Sequence, residues 1–437
     1  MRLFSLFRQS SMPIPLFILA SQPRVPDAII SQAKANAVCQ LLMLKTSEII
    51  SSYLKSEIAN GSIPGAQYVI GENQRIVAED ALGLAVVEPE AIPTTLDTLY
   101  DLASLTKPLV TAILVLKMAE RQALDLDAPL ARYLSEFNDK DKREITLLQL
   151  LTHTSGLPNW RPLYFEAESR TDVPAAISRI LLEPAVSSAS IDVIYSDLNY
   201  ILLGFVLERV TGERLDRLAR REIFEPLGLS RTMFNPPLDL LPEIAATEFG
   251  QEFEYSNAIA DAEARSWQLG TGQANSIFPK GPSDQSWRKE MIWGGVHDGN
   301  ANFMEGVAGH AGLFSTAREA FSIANQVLPG SQLLKPDTLP LFAANMTRGC
   351  ATSRSIAWIL GQTQDCSAGP ALPPTAFGHN GFTGTSVWID PVKRRVLVLL
   401  TNRVHPRVHS IDMRELRRRF NTLAVQTLDG KRPRTDR

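Results

Sequence analysis

Cysteine is scarce in this 437-residue chain: Cys39, Cys350 and Cys366 are the whole complement, with no Cys-x-x-Cys and no Cys/His ligand spacing. That excludes a disulfide framework and a structural zinc centre. No apolar run reaches the roughly 18 residues of a spanning helix. A surplus of positive charge is missing too: 44 Lys and Arg stand against 47 Asp and Glu, a net charge of −3, so no global field is available to hold nucleic acid. Neither a Walker loop nor a dinucleotide fingerprint occurs, and no cofactor is expected. His297, Asp298 and His310 lack the spacing of a metal site, and no Gly-x-Ser-x-Gly elbow supports an α/β-hydrolase triad. What remains has ordinary globular composition, 44% hydrophobic and 21% charged. Such a chain can build large cores and is suited to a small, locally recognised ligand.

Residues 1–30 read as an extension or leader. Arg2 and Arg8 ahead of the apolar stretch Met12 to Ala20 loosely copy a signal peptide. Pro13 and Pro15 interrupt that stretch and no small-x-small cleavage site follows, so the reading leans to a cytoplasmic chain over an exported one. Apolar spacing from Ala33 to Ile58 predicts a helix, and Ala66 to Ile70 and Arg75 to Ala78 predict paired strands. Lys107 to Leu124 is apolar nearly all round with Pro108 in its first turn, the pattern of a buried helix. Thr146 and Gln149 form a capping box, Asn199 to Val210 is a helix stopped at Gly212, and Arg214 to Phe224 is another. Pro236 to Gly312 reads as long structured loops. Thr385 to Ile389 and Arg395 to Thr401 form a hairpin, followed by a helix from Ile411 to Leu428 whose Arg414, Arg417, Arg418 and Arg419 are placed on the solvent side.

This order predicts an α+β fold, an antiparallel sheet built from both chain ends and flanked by helices, with an inserted, mainly helical lobe. The expected organisation is one domain over 31–437, its sheet lobe from 31–105 and 375–437 and its helical lobe from 106–374.

A serine becomes a nucleophile when a base lies within hydrogen-bond reach, and Ser-x-x-Lys on a helix puts both groups on one face. The pattern occurs four times, at Ser31/Lys34, Ser52/Lys55, Ser104/Lys107 and Ser286/Lys289. Ser104 stands apart because it opens the buried helix, where free N–H groups and the positive dipole end can stabilise an oxyanion. The alternative is a capping serine beside a snorkelling lysine. Lys107 serves as a base only when uncharged, so its ordinary pKa of about 10.4 has to fall by several units, and burial is the expected cause. Tyr195, just ahead of another apolar helix, is either a second ionisable hydroxyl over that helix end or a packed tyrosine. The glycines of Gly378-His379-Asn380-Gly381-Phe382-Thr383-Gly384 let backbone approach a ligand closely. His153, in a helix-ending His-Thr-Ser-Gly turn, reads as structural.

These segments together resemble the serine β-lactamase and penicillin-binding-protein superfamily, specifically its class C β-lactamase-like branch with D-Ala-D-Ala carboxypeptidases and family VIII esterases. The resemblance runs from about residue 45 to 425 through LASLTK, LLTHTSGLP, IYSDLNYILLG, GGVHDGNA, GVAGHAGLFST and GHNGFTG. It implies Ser104 as nucleophile, Lys107 and Tyr195 as proton-handling groups, and the backbone N–H groups of Ser104 and Phe382 as an oxyanion hole. Two positions depart from the pattern. Asp197 replaces the asparagine of Tyr-x-Asn, and His379-Asn380-Gly381 keeps only the glycine of Lys-Thr-Gly. Asp197, His379, Gly381 and Phe382 are expected to contact substrate, with His379 a neutral or partly charged ring where a fixed cation would grip a carboxylate. Ser196-Asp197 also loosely copies the Ser-Asp-Asn motif of other branches, with Leu198 in place of the asparagine.

The implied activity is a serine hydrolase acting on a small ester, amide or peptide, a carboxylesterase or D-amino-acid peptidase rather than an efficient β-lactamase. The rival is a non-catalytic ligand-binding or sensor domain of the same fold. Oligomeric state is left open.

Overall fold

The computed structural model describes residues 44–138, 144–182, 192–268 and 287–430. The leader, the Ser31/Lys34 pair, Cys39 and Ser286 lie outside these residues. A seven-stranded sheet runs in the order β3-β2-β1-β10-β9-β8-β7. Its strands are β1 (Gly65–Glu72), β2 (Arg75–Val86), β3 (Ile92–Pro93), β7 (Ile359–Leu360), β8 (Phe377–Asn380), β9 (Ser386–Asp390) and β10 (Arg395–Thr401). Every neighbouring pair is antiparallel. The expected sheet from the two chain ends is present, and it also takes β7 from the intervening chain. A second, three-stranded sheet orders β4 (Tyr100–Asp101), β6 (Leu313–Ser315) and β5 (Met233–Phe234) as β4-β6-β5.

In chain order the helices are α1 (44–59), α2 (Ala112–Glu120), α3 (Leu147–Thr152), α4 (Leu163–Glu166), α5 (Val173–Ile180) and α6 (Asp197–Thr211). They continue with α7 (Leu215–Ala219), α8 (Glu252–Gln268), α9 (Gly299–Phe303), α10 (Ala317–Ala324) and α11 (Met413–Leu428). The central strands are buried on both faces, and their side chains alternate between two cores as a period of two requires. Tyr68, Ile70, Trp388, Leu397 and Leu399 pack with Ile50 and Leu54 of α1 and Phe420 and Leu423 of α11. Val69, Val387, Ile389, Val398 and Leu400 join the larger core with α2, α6 and α10. The central strands thereby form a wall buried on both faces, and β8 lies against the short turn Ala103–Leu105.

Three local readings change. The segment from Lys107 opens as a π-helical turn over Lys107–Thr111, where the Ala112 N–H reaches back to the Lys107 carbonyl, and becomes α-helical only from Ala112. Ser104 precedes it on a short 3-10 turn, Ala103–Leu105, so the pair spans two irregular turns rather than one α-helix. The stretch from Pro236 to Gly312 contains the 17-residue α8. Its buried face repeats at helical spacing through Glu254, Ala258, Ala262, Arg265 and Ser266, small and polar residues that leave no hydrophobic period to read. Finally, α11 buries Arg417 at 7% exposure while Arg414 stays in solvent. Arg417 falls within the stripe Met413, Leu416, Phe420, Leu423 that faces the sheet, so it is not part of a solvated charge run.

Candidate active site

The turn that carries Ser104 is held by hydrogen bonds from three directions. Ala103 adopts a left-handed φ of 47°, and the buried Asp101 carboxylate secures that turn by accepting from the N–H of Ala103 at 2.8 Å. The other Asp101 oxygen accepts from the N–H of His297, also at 2.8 Å. Thr106 Oγ1 donates to the Ala103 carbonyl at 2.7 Å. From the sheet side, Thr383 and Thr385 donate their hydroxyls to the carbonyls of Asp101 and Leu102. A Cβ added at Gly381 would lie 2.6 Å from the Leu102 carbonyl oxygen. Only a bare backbone fits so close, and this contact brings the Gly381–Phe382 turn against the turn carrying Ser104.

Lys107 is fully buried. Its Nζ donates to Ser104 Oγ at 2.7 Å and to the His310 carbonyl at 3.2 Å. It also lies 2.7 Å from Asp197 Oδ1 and 5.1 Å from the centre of the Tyr195 ring. The expected lowering of its pKa by burial is not the net result. Burial does push the ammonium toward release, but the Asp197 carboxylate and Tyr195 more than reverse it, and Lys107 is held above its ordinary value. Asp197, read from the sequence as a substrate contact, borders the cavity and is committed to this ion pair.

Tyr195 sits at the centre of the site. The His153 ring lies tilted against it at 4.6 Å between ring centroids, His379 lies at 5.7 Å, and the Arg354 guanidinium carbon is 5.1 Å from the ring centre. His153 ends α3 in a left-handed conformation, and its Nδ1 accepts from the N–H of Ser196 at 3.0 Å, which fixes the loop that presents Tyr195. His379 Nδ1 bonds the Asn380 carbonyl at 2.9 Å. Burial, with the charges of Arg354 and Lys107, pushes its pKa well below the histidine range, so the ring is neutral and carries no fixed positive charge.

A cavity of about 790 Å3 opens over these groups. Ser104, Tyr195, Asp197, His379, Gly381 and Phe382 line it, so every residue expected from the sequence borders it or, as Lys107 does, contacts one that does. Ser52 and Lys55 of the competing pair stand exposed on α1. Phe382, stacked on His297, and Phe253 place aromatic surface at the cavity, 5.2 Å apart between ring centres.

Sequence reasoning missed Arg354, Glu254, and the Asp298–His310 pair with its 2.9 Å contact. Asp197, Asp298 and His310 bring ligand atoms within 4.8 Å of one another, and the Lys107 ammonium already contacts that group through Asp197. Of the missed residues, only Asp298 and His310 carried a signal, through the GGVHDGNA and GVAGHAGLFST segments.

The sequence profile of the family described as Beta-lactamase matches residues 48–421. A relative from Escherichia coli O157:H7, named "Putative D-alanyl-D-alanine carboxypeptidase", is 31% identical over 380 residues, covering 80% of this chain and 81% of its own. Among solved structures, "EstCE1, a hydrolase with promiscuous acyltransferase activity" superposes with a TM-score of 0.64 at 18% identity, covering 90% of this chain and 99% of its own. A β-lactamase/D-alanine carboxypeptidase from Yersinia pestis superposes with a TM-score of 0.61 at 19% identity, covering 88% and 99%. At those identities the structural likeness speaks for the fold.

Proposed function

The chain belongs to the β-lactamase family, and from that premise we propose that it is a serine hydrolase cleaving a small ester or amide through an acyl-enzyme on Ser104. The observation that carries this reading is the 2.7 Å hydrogen bond between Lys107 Nζ and Ser104 Oγ beside a cavity lined by Tyr195. Ser104 Oγ attacks the substrate carbonyl, and its proton passes to Lys107 in the amine form, or to Tyr195. The tetrahedral oxyanion is received by the backbone N–H groups of Ser104 and Phe382, each worth about 3–4 kcal/mol in comparable sites. Collapse expels the leaving group with a proton from the Lys107–Tyr195 pair, and water then releases the acyl group by the reverse sequence.

The E. coli relative's name supports a peptide substrate ending in D-alanine, and the EstCE1 likeness is compatible with an ester. A neutral His379 argues against efficient β-lactam turnover, because that position offers no permanent cation to a bound carboxylate. Intact-protein mass spectrometry after treatment with a fluorophosphonate and, separately, a penicillin tests the nucleophile. One adduct on Ser104, absent from Ser104→Ala, is expected. Rates with p-nitrophenyl butyrate, a D-Ala-D-Ala peptide and nitrocefin then rank the substrate classes, with nitrocefin last. Undiminished turnover in Ser104→Ala would overturn the proposal.

A further inference from the structure

The amide that joins Gly381 to Phe382 is held by a guanidinium on its oxygen side. Its N–H, that of Phe382, is the group to which the mechanism above gives the oxyanion, and its oxygen is the Gly381 carbonyl. Arg417 Nη2 donates to that oxygen at 2.8 Å and to the Thr385 carbonyl at 3.1 Å. The N–H of Gly384 reaches the same Gly381 oxygen at 3.1 Å, and the N–H of Gly381 meets the Thr385 oxygen at 2.8 Å. Arg403 is placed differently, since its Nε donates at 2.8 Å to the Phe382 carbonyl, which belongs to the next amide along the chain.

Arg417 projects from the apolar stripe of α11 and borders the cavity at 7% exposure. Among the described residues its guanidinium bonds carbonyls alone, and Nε is buried without a partner. Burial and the like charge of Arg403 push its pKa down to about 9, which leaves it charged at neutral pH. A buried cation without a counter-ion is unfavourable in the resting protein. The proposed mechanism generates the missing negative charge, because an oxyanion on the Phe382 N–H faces Arg417 across one amide. A cation on an amide oxygen draws electron density from the nitrogen through the planar bond and makes the N–H a stronger donor, so the two hydrogen bonds reinforce each other. An interaction that strengthens as charge develops lowers the barrier rather than tightening ground-state binding.

We propose that Arg417 is a positioning residue for catalysis, which orients and polarises the Gly381–Phe382 amide so that its N–H becomes a stronger oxyanion donor. The proposal rests on the acyl-enzyme reading and goes beyond it, since in this role Arg417 acts through the amide and not on the substrate. A neutral ester tests it independently of any charge on the ligand.

The test uses the full-length protein and p-nitrophenyl butyrate isotope-labelled at its carbonyl carbon. The acyl-enzyme, formed at neutral pH and trapped by a rapid drop to low pH, gives an isotope-edited infrared band for the ester carbonyl. Stronger donors on that carbonyl weaken its double bond and lower the frequency of the band. Arg417→Gln keeps an N–H donor on the side chain but removes the charge, so its band should move to higher frequency. Its kcat should fall about tenfold, less than for loss of a whole oxyanion donor, while KM changes by less than about twofold. Arg417→Lys, which restores the charge, should recover part of both changes. A side chain that only anchors the turn would be replaced as well by glutamine as by lysine, and the two variants would then shift alike. An ester band that stays in place in Arg417→Gln, or one displaced equally in both variants, would overturn the proposal and leave the acyl-enzyme reading standing. Absence of any ester band from the unmodified protein would overturn both. Should Arg417→Gln not fold, Arg417→Lys decides: its band is expected nearer to that of the unmodified protein than to that of the ester free in water, and the reverse would overturn the proposal.

Discussion

The Asp197 carboxylate stands 2.7 Å from Lys107 Nζ, as near as the Ser104 hydroxyl to which the same nitrogen donates. An anion at that distance stabilises the ammonium, and Lys107 is held above its ordinary pKa despite complete burial. Only the small amine fraction can accept the Ser104 proton, so kcat/KM should climb with pH through the alkaline range. Asp197→Asn restores the amide of the family pattern and removes the charge. Its acidic limb should move to lower pH, read from pH–rate profiles with one ester substrate. An unmoved limb would mean that Lys107 is not the titrating base.

Gly381 is where the sheet turn meets the turn that carries Ser104. A Cβ there would lie 2.0 Å from Thr385 Oγ1 and 2.6 Å from the Leu102 carbonyl oxygen. The hydroxyl can rotate away, whereas the carbonyl is backbone and cannot. Gly381→Ala should therefore force the Phe382 N–H off the oxyanion position, lowering kcat by about 100-fold or more, in line with loss of one oxyanion donor. KM for a small ester should change much less. Steady-state kinetics with p-nitrophenyl butyrate separates the two effects.

Much of this architecture was legible because strand and helix periods are strong where large apolar residues carry them. The β9–β10 hairpin, the capping box at Thr146 with both of its bonds, and α11 follow directly from pattern. The assembly of Ser104, Lys107 and Tyr195 was legible through motif order, since no local rule brings residue 195 to residue 107. What escaped was electrostatic or carried by small side chains. Burial of Lys107 was foreseeable from its apolar segment, but the outcome depends on Asp197, ninety residues away. Arg417 lies at i+4 from Met413 on a stripe of apolar residues, and that spacing held the signal that the neighbouring arginines obscured. Arg354 has no such marker: one arginine between two serines acquires meaning only when the fold brings it to the face of Tyr195.

Away from the cavity, Glu222 joins the end of α2 to the turn after α7. Lys117 Nζ lies 3.0 Å and Arg121 Nη2 2.6 Å from its Oε2. The bond from Arg121, with Lys117 close by, holds the carboxyl down at about 2. A depressed carboxyl adds stability above its unfolded pKa near 4.5, and that contribution is lost as pH falls from 4.5 through 2. Glu222→Gln should cost about 3 kcal/mol at neutral pH, because it leaves the buried Lys117 ammonium its bond to the backbone carbonyl of residue 222 but no counter-charge. Adding Lys117→Met should recover most of the loss. Urea unfolding of the natural protein and the two variants at pH 7 and pH 3 checks both statements.

Glu254 presents the opposite case inside the cavity. Its carboxylate accepts the N–H of Gly299 at 2.9 Å, but the group is buried, and burial together with the nearby charge of Asp298 pushes its pKa up to about 7. For an acid raised in this way the folded state binds the proton more tightly than the unfolded chain does. Its most favourable contribution is therefore present below about pH 4.5 and is lost progressively as pH rises through 7. Glutamine reproduces the protonated form and keeps an oxygen for the Gly299 N–H. Glu254→Gln should then be more stable than the natural protein by about 2–3 kcal/mol at pH 8, with the difference vanishing toward pH 4.5. Denaturant unfolding across that range measures it directly. A glutamine variant that is less stable at pH 8 would mean that the ionised carboxylate is paid for by contacts stronger than the Gly299 bond. If the gain in stability comes with a loss of turnover, Glu254 is a group whose burial is tolerated for what it does to ligands in the cavity.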